Sequence, residues 1–203
     1  MRTCTLLTAA ILTLASSLPA QVARSVMSGA ETGPLEVALA YSSLRGNGSP
    51  AGCECFWLQG GKAEFNAKLP VLLPTGFTMV GELAGQTVNN INSAHQDISL
   101  VSYLFGVRYS YRTRSAMVLF GQALVGGVHG FNAIFPNPKG TMVSPDSLAT
   151  APGGGLDIGL SRHLALRPFQ ADYFFTHLPN AKNNRQNSPR LAAGIVFIFG
   201  SNQ

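Results

Sequence analysis

The stretch Val101-Ser-Tyr-Leu-Phe-Gly-Val-Arg-Tyr-Ser-Tyr111 decides the fold class, because its residues alternate between two chemical types. One face carries valine, tyrosine and phenylalanine at every second position from 101 to 111. The other face carries Ser102, Gly106, Arg108 and Ser110, with Leu104 as the exception. A period of two predicts a β-strand. An aromatic-rich face backed by small and polar residues is typical of a strand that crosses a membrane.

Seven other segments show the same tendency and are separated by stretches rich in glycine, proline and asparagine, which predicts eight strands. The predicted strands are 35–44, 56–68, 76–86, 98–111, 115–128, 152–161, 163–175 and 189–199. In the seventh strand Pro168 interrupts the alternation, and a β-bulge is a place where proline is tolerated. A bulge there would turn Arg167, Gln170 and Asp172 to the inside, and Phe169, Tyr173 and Phe175 to the outside.

The predicted connections alternate in length along the chain. The short ones are 69–75, 112–114 and the turn around 161–163, and the long ones are 45–55, 87–97, 129–151 and 176–188. Short turns at one end and long loops at the other are a feature of outer-membrane barrels. The prediction is therefore an all-β fold, an eight-stranded antiparallel up-and-down transmembrane β-barrel with both chain ends on the periplasmic side.

The composition also favours a membrane barrel. Only 11% of the residues are charged and 46% are hydrophobic, whereas a soluble domain carries about 25% charged residues. Beyond the first twenty residues no stretch approaches the roughly 20 apolar residues that a spanning helix needs, so a closed barrel is the remaining route across a bilayer. The basic residues are scattered, which argues against nucleic acid as a partner.

The N-terminus has the three-part layout of a secretory signal peptide. Arg2 precedes the apolar stretch 6–18, and Leu18-Pro19-Ala20 offers a cleavage point after Ala20, with Ala23 as the alternative. Removal of Arg2 changes the net charge from +5 to +4, thirteen basic minus nine acidic residues. The predicted organisation is a signal peptide (1–20), a periplasmic segment (21–34), the barrel (35–199) and a C-terminal tail (200–203).

Charged residues fall together on the predicted inward faces, opposite the aromatic ones. The predicted interior polar network is Glu36, Lys62, Glu64, Glu82, Arg108, Asp157, Arg167, Gln170 and Asp172. An eight-stranded interior is just wide enough for side chains to fill, so structural pairing is favoured over an ion path. Five acids face three bases in this set, and that excess suggests water or a shared proton inside.

Two cysteines, Cys53 and Cys55, remain in the first long loop after signal cleavage. A disulfide between such near neighbours is geometrically strained. A loop redox pair and a soft-metal site are the alternatives to a loop-tightening disulfide or free thiols. A loop-tightening disulfide or free thiols are favoured, because no further cysteine completes a four-thiolate site.

The histidines raise the question of a catalytic site. His95, His129 and His177 are predicted near the outer rim and His163 in a periplasmic turn. A rim triad is conceivable from His129, His177 and either Ser144 or Ser147. Because the chain has no G-x-S-x-G elbow and the residues share no recognised spacing, solvated loop histidines are favoured. The sequence thus predicts no catalytic, cofactor-binding or metal site.

Two stretches carry a family resemblance. Residues 153–167, GGGLDIGLSRHLALR, continue into Gln170-Ala-Asp-Tyr173, and the chain closes with Arg190-Leu-Ala-Ala-Gly-Ile-Val-Phe-Ile-Phe199. Both resemble the barrel domains of OmpA-like and OmpX-like outer-membrane proteins. The resemblance implies a monomeric or weakly associating barrel among outer-membrane lipids, with loops outside. Gly194, Phe197 and Phe199 look like the signal read by the barrel-assembly machinery. No stretch resembles a peptidoglycan-binding domain, so wall anchoring is not expected.

Three functions follow as hypotheses. The leading one is a non-enzymatic barrel whose loops bind an extracellular ligand in adhesion, envelope stability or surface recognition, with at most weak porin-like conductance. The second is a barrel enzyme that modifies lipid A or phospholipid, and it requires His, Ser and acid side chains to converge on one rim. The third is a soluble lipocalin-like barrel, which requires apolar inward faces.

Overall fold

The computed structural model describes residues 34–46, 56–68, 74–89, 97–113, 116–132, 135–137, 140–142, 144–179 and 185–200. Ten strands are present in these ranges. They are β1 (Leu35–Gly46), β2 (Phe56–Ala67), β3 (Phe77–Val88), β4 (Ile98–Arg112), β5 (Met117–Phe131), β6 (Phe135–Asn137), β7 (Gly140–Met142), β8 (Asp146–Gly159), β9 (Leu164–Thr176) and β10 (Gln186–Phe199). No helix long and apolar enough to cross a membrane occurs in the described ranges.

Eight of these strands close into one barrel in the order β1-β2-β3-β4-β5-β8-β9-β10, and β10 pairs with β1. All eight ladders are antiparallel, and Leu35 opposite Phe199 marks the seam where the first and last strands meet. The short strands β6 and β7 pair only with each other, as a hairpin in the connection between β5 and β8. The predicted eight-stranded antiparallel barrel is confirmed.

The barrel has two different ends. At the short-turn end β2, β4 and β8 connect to β3, β5 and β9 through 68–76, 113–116 and 160–163. At the long-loop end lie the connections 47–55, 89–97, 132–145 and 177–185. The predicted signal peptide, most of the predicted periplasmic segment and C-terminal tail, Cys53, Cys55 and His95 lie outside the described residues.

Two strands begin earlier than the sequence indicated, and proline is the reason in both cases. β8 begins at Asp146 and passes through Pro152, and β10 begins at Gln186 and passes through Pro189. The sequence prediction treated each proline as a strand boundary. Both prolines are exposed on the outer face of the barrel. The last six residues of the predicted loop 129–151 therefore belong to β8, and its first three belong to β5.

The predicted bulge at Pro168 is present. Gln170 pairs with Ala192 but Arg167 pairs with Gly194, so β9 has one residue more than β10 in this interval. The ladder to β8 shifts at the same place. As a result Arg167 and Gln170 are both fully buried, while Phe169 is exposed on the outer face.

The outer face of the barrel is apolar over a height that fits a bilayer. Along β4 every second residue from Val101 to Tyr111 is a large apolar or aromatic side chain, and each is at least 37% exposed. These ten residue steps extend roughly 33 Å along the strand. At the usual strand tilt of about 40° this corresponds to about 25 Å along the barrel axis, the height of the apolar band in outer-membrane barrels.

The interior is layered from end to end. A cluster of buried apolar side chains fills the half nearer the long loops; it includes Leu44, Leu58, Leu100, Val128 and Phe174. Leu104, the exception in the β4 alternation, points inward and belongs to this cluster. A charged layer follows, and a small cluster of Ala38, Ala165, Val196 and Ile198 lies at the short-turn end.

At the seam the backbones of β1 and β10 lie so close together that position 194 must be a glycine. A Cβ added to Gly194 would meet the Leu39 carbonyl oxygen and would lie 2.5 Å from the Ala40 Cα. Gly194 also faces Arg167 at the bulge, so β10 is confined from both sides. By contrast, a Cβ added to Gly85 on the outer face of β3 would have no atom within 4 Å.

We therefore expect Gly194→Ala to destabilise the barrel by about 1–3 kcal/mol, the usual cost of forcing atoms into packed space. Gly85→Ala is the matched control and should leave stability unchanged or raise it by about 0.4–1 kcal/mol through chain entropy. Urea unfolding of the refolded proteins in detergent micelles measures both. Equal midpoints for the two variants would contradict the close approach at the seam.

Candidate functional site

The charged layer of the interior is centred on Glu64 of β2, which is fully buried. Its carboxylate accepts from Lys62 Nζ at 2.8 Å, from Arg108 Nη2 at 2.6 Å and from Arg167 Nη1. These side chains come from β2, β4 and β9, so one carboxylate joins three strands around the barrel. Because these three donors are charged and hydrogen-bonded to the carboxylate, direct contacts offset the cost of removing the ions from water.

A second group of ions forms around Arg190 of β10. Its guanidinium donates to both oxygens of Glu82, at 2.7 and 2.9 Å, and to Asp172 Oδ2 at 2.9 Å. Lys62 Nζ also lies 3.0 Å from Glu82 Oε2 and 3.5 Å from Asp172 Oδ2. Lys62 therefore links this group to Glu64, and the whole layer is one network.

Arg167 connects the network to the short-turn end. Its Nε and Nη2 donate to the two oxygens of Asp157 at 2.6 and 2.9 Å, a bidentate pair. Gln122 and Gln170 fill the gaps between the ions. Gln122 accepts from Arg108 Nη2 at 2.5 Å, and Gln170 donates to Glu64 Oε1 at 2.9 Å.

Aromatic rings contact the interior cations. The Phe120 ring lies close to two guanidinium groups, with its centroid 4.0 Å from Arg108 Cζ and 4.5 Å from Arg167 Cζ. Gly155 makes room for this ring, because a Cβ there would lie 2.8 Å from Phe120 Cζ. Phe174 lies 5.2 Å from Arg190 Cζ. Each ring presents its electron-rich face to a cation, which is favourable where water is excluded.

The charge count of the interior differs from the sequence estimate because Arg190 was missed. The alternation of β10 places Leu191 outside, and the same parity should have placed Arg190 inside. With it, four bases (Lys62, Arg108, Arg167, Arg190) balance four acids (Glu64, Glu82, Asp157, Asp172) in the contacts described above. With Glu36 counted as well, the interior has five acids and four bases, so the inferred excess of two acids falls to one.

Glu36, the fifth acid, is half-buried and lies beside Asp157 at the short-turn side of this layer. It lines a cavity of about 20 Å³ near the short-turn end together with Asp157, Ser110 and Val118. A cavity of this size has room for about one water molecule. In the described part of the chain no group of three or more His, Cys, Asp or Glu side chains could hold a metal ion.

A few buried polar atoms near the network have no protein partner. They are both side-chain amide atoms of Asn66, the hydroxyls of Thr78 and Ser102, and Nη1 of Arg108. Thr78 and Arg108 are opposite each other in the β3–β4 ladder. Buried polar groups are nearly always hydrogen-bonded, so ordered water is expected beside them.

Two other predicted positions, Phe197 and Phe199, lie on the outer face of β10. Phe197 and Phe199 are 37% and 49% exposed, and Gly194 lies at the seam described above. Their predicted role as a signal for the barrel-assembly machinery stays a prediction.

At the long-loop rim three side chains converge. His129 Nδ1 lies 2.7 Å from Asp146 Oδ1, and His129 Nε2 lies 3.0 Å from Ser144 Oγ. The predicted candidates His177 and Ser147 do not join them, because Ser147 Oγ accepts from the backbone N–H of His177 at 2.9 Å. Asp146 was missed since the sequence prediction placed 129–151 in a loop, whereas His129 and Asp146 are paired across β5 and β8.

Solved structures of small outer-membrane barrels share this fold. Neisserial surface protein A matches with a TM-score of 0.59 and 13% identity, covering 83% of this chain and 99% of that chain. The attachment invasion locus protein Ail of Yersinia pestis matches with a TM-score of 0.54 and 15% identity, covering 82% and 99%. Outer membrane protein OprG of Pseudomonas aeruginosa matches with a TM-score of 0.51 and 11% identity, covering 84% and 98%.

No protein-family model matches the chain, and no curated protein matches its sequence. At these identities the similarity to solved structures shows the fold. The predicted resemblance to OmpA-like and OmpX-like barrels is confirmed at that level.

The ion network predicts a large stability loss when one cation is removed. Arg190→Met leaves Glu82 and Asp172 with Lys62 as their remaining close cation, and we expect a cost of about 3–5 kcal/mol. Adding Glu82→Gln restores neutrality, so the double variant should recover part of the loss, with a coupling energy of about 0.5–3 kcal/mol.

The measurement is urea unfolding in detergent micelles of the wild type, both single variants and the double variant. Arg162→Met, in the exposed turn at the short-turn end, changes the net charge equally and should shift the midpoint little. If Arg190→Met lowered the urea midpoint no more than Arg162→Met does, the structural role of the network would be contradicted.

Proposed function

We propose that this chain is an outer-membrane β-barrel whose sealed barrel displays long loops for surface recognition or adhesion. The observation that carries the proposal is the inverted distribution of side chains. Aromatic and aliphatic residues cover the outside, among them Tyr41, Phe105 and Phe169, while fully buried ions such as Glu64 and Arg190 lie inside. A soluble barrel would expose the charges and bury the aromatics.

The layered interior supports a scaffold over a pore. Ion pairs join the side chains of the charged layer across the barrel, and the apolar cluster around Leu44, Leu100 and Val128 fills the half nearer the long loops. Ions pass poorly through apolar packing, because an ion there loses its hydration without gaining a partner. The proposal is therefore a barrel with at most weak conductance. It lies among outer-membrane lipids as a monomer after insertion by the barrel-assembly machinery.

The long-loop end supports a recognition role. In a membrane barrel of this type the long loops face the cell exterior, and here they rise from a rigid closed frame. Neisserial surface protein A and the attachment invasion locus protein of Yersinia pestis share the fold. Their names refer to the surface and to attachment, and by analogy this chain would bind an extracellular ligand through its loops.

The first test is heat-modifiability combined with fractionation. Membrane-extracted protein should migrate faster on a denaturing gel without boiling than after boiling, because a closed barrel resists the detergent until heated. The protein should also pellet with the outer membrane. Identical migration with recovery in the soluble periplasmic fraction would contradict the proposal and favour the soluble ligand-binding barrel.

Conductance tests the sealed interior separately. Folded protein in a planar lipid bilayer should give at most rare, small current steps in 1 M salt, because the apolar layer blocks a continuous path for ions. A heat-unfolded sample in the same detergent controls for detergent artefacts. Frequent, uniform steps from the folded sample alone would show an open pore and would overturn the scaffold interpretation.

A further inference from the structure

The convergence of Ser144, His129 and Asp146 has the hydrogen-bond order of a nucleophile, a base and an orienting acid. An ionised carboxylate only accepts, so His129 Nδ1, 2.7 Å from Asp146 Oδ1, must carry the proton. In the neutral ring Nε2 is then an acceptor, and the Ser144 hydroxyl at 3.0 Å donates to it. This arrangement suits removal of the serine proton during attack on a carbonyl.

The backbone around the three side chains is fixed by the barrel. His129 is opposite Asp146 in the β5–β8 ladder and opposite Val101 in the β4–β5 ladder. The N–H of Gly130 donates to the Pro145 carbonyl at 3.0 Å, which ties the residue after His129 to the residue between Ser144 and Asp146. The imidazole also stacks on Phe131, with ring centroids 6.1 Å apart.

The position of the three side chains indicates the substrate class. His129 and Asp146 have the strand parity of Val125 and Leu148, two exposed apolar residues of the outer face. They lie at the end of that face nearest the long loops, and Ser144 and Asp146 are exposed. A lipid beside the barrel would hold its acyl chains against the apolar face and its ester groups at the level of Ser144.

His177 at the same rim has different contacts from His129. Its backbone N–H, rather than its ring, contacts Ser147, and its ring packs edge-on against Phe175 with centroids 4.8 Å apart. His177 is therefore a matched control, a histidine in the same part of the barrel outside the Ser144 site.

We propose that Ser144, His129 and Asp146 form an esterase site for acyl esters of outer-leaflet lipids. This activity goes beyond loop display and rests on the membrane location proposed above. Ser144 Oγ bonds to the ester carbonyl carbon while His129 Nε2 takes the hydroxyl proton. The carbon–alkoxy bond then breaks, and the alcohol leaves with that proton.

Water completes the cycle. It attacks the acyl-serine carbonyl as His129 takes a proton from it, the Ser144–carbon bond breaks, and Ser144 recovers the proton. The sum is ester plus water giving carboxylic acid plus alcohol. Ser144 and His129 are catalytic residues in this scheme, and Asp146 is a positioning residue that orients the imidazole.

The test uses the full chain, folded in detergent micelles, with closure of each sample checked by its heat-modifiable gel band. A fluorophosphonate probe should label Ser144, identified by mass spectrometry, and p-nitrophenyl acyl esters should be hydrolysed. Ser144→Ala should abolish labelling. His129→Ala should lower the hydrolysis rate by about 100-fold or more, the usual contribution of a general base. His177→Ala should retain the wild-type rate.

Asp146 requires its own readout. Asp146→Asn should lower the rate and change its pH profile, since the amide no longer fixes the imidazole tautomer, whereas Asp146→Glu should restore part of the rate. A merely structural role would affect both variants alike and leave the pH profile unchanged, which would overturn the assignment of Asp146.

Two lipid probes separate the possible ester sources. Phosphatidylethanolamine vesicles and purified lipopolysaccharide are each incubated with wild-type protein and Ser144→Ala, and released fatty acid is measured. Serine-dependent release from either supports the lipid assignment and identifies the source. Hydrolysis of the soluble ester alone would overturn the lipid substrate. Absence of labelling and turnover in a protein with a normal heat-modifiable band would overturn the site while leaving the membrane barrel intact.

Discussion

The ion network around Glu64 is the interaction on which the rest of the structure depends. A membrane barrel must place its apolar side chains outside, so its polar side chains are forced into a narrow space without bulk water. Here four acids and four bases fill that space, and Arg190, Lys62 and Arg167 each bridge acids from different strands. Because desolvated ions tolerate no missing partner, the network fixes which strands face each other as well as how strongly they are held.

Two adaptations of the backbone serve this network. The bulge at Pro168 allows Arg167 and Gln170, three positions apart, to point inward together. Gly155 leaves space for the Phe120 ring, which lies close to the guanidinium groups of both Arg108 and Arg167. A strand without the bulge would not turn both Arg167 and Gln170 inward. A residue larger than glycine at position 155 would leave no space for the Phe120 ring. The irregular features of this barrel are thus consequences of its charged centre.

The sequence was informative wherever the signal was a period of two. The alternation from Val101 to Tyr111 identifies both faces of β4, and the same reasoning places Glu64, Arg108 and Asp157 inside. It failed where the fold overrides a local preference. Pro152 and Pro189 lie within strands at places where one ladder is missing, because the β8–β9 pairing skips 151 and 152 and the β1–β10 pairing ends at Arg190. The proximity of His129 and Asp146 depends on the register between β5 and β8, and the sequence alone does not reveal which residues of two strands are paired.

The pairing of β1 with β10 has a consequence for how this protein is made. Leu35 and Phe199 are partners although almost the whole barrel separates them in the chain, and Arg190 meets Glu82 across 108 positions. Contacts of such long range give a high contact order, and folding is slow in proportion. Until β10 arrives, Glu82 lacks its bidentate partner and the edge of β1 is open. Because β10 is synthesised last, the chain needs protection from aggregation until β10 has paired with β1.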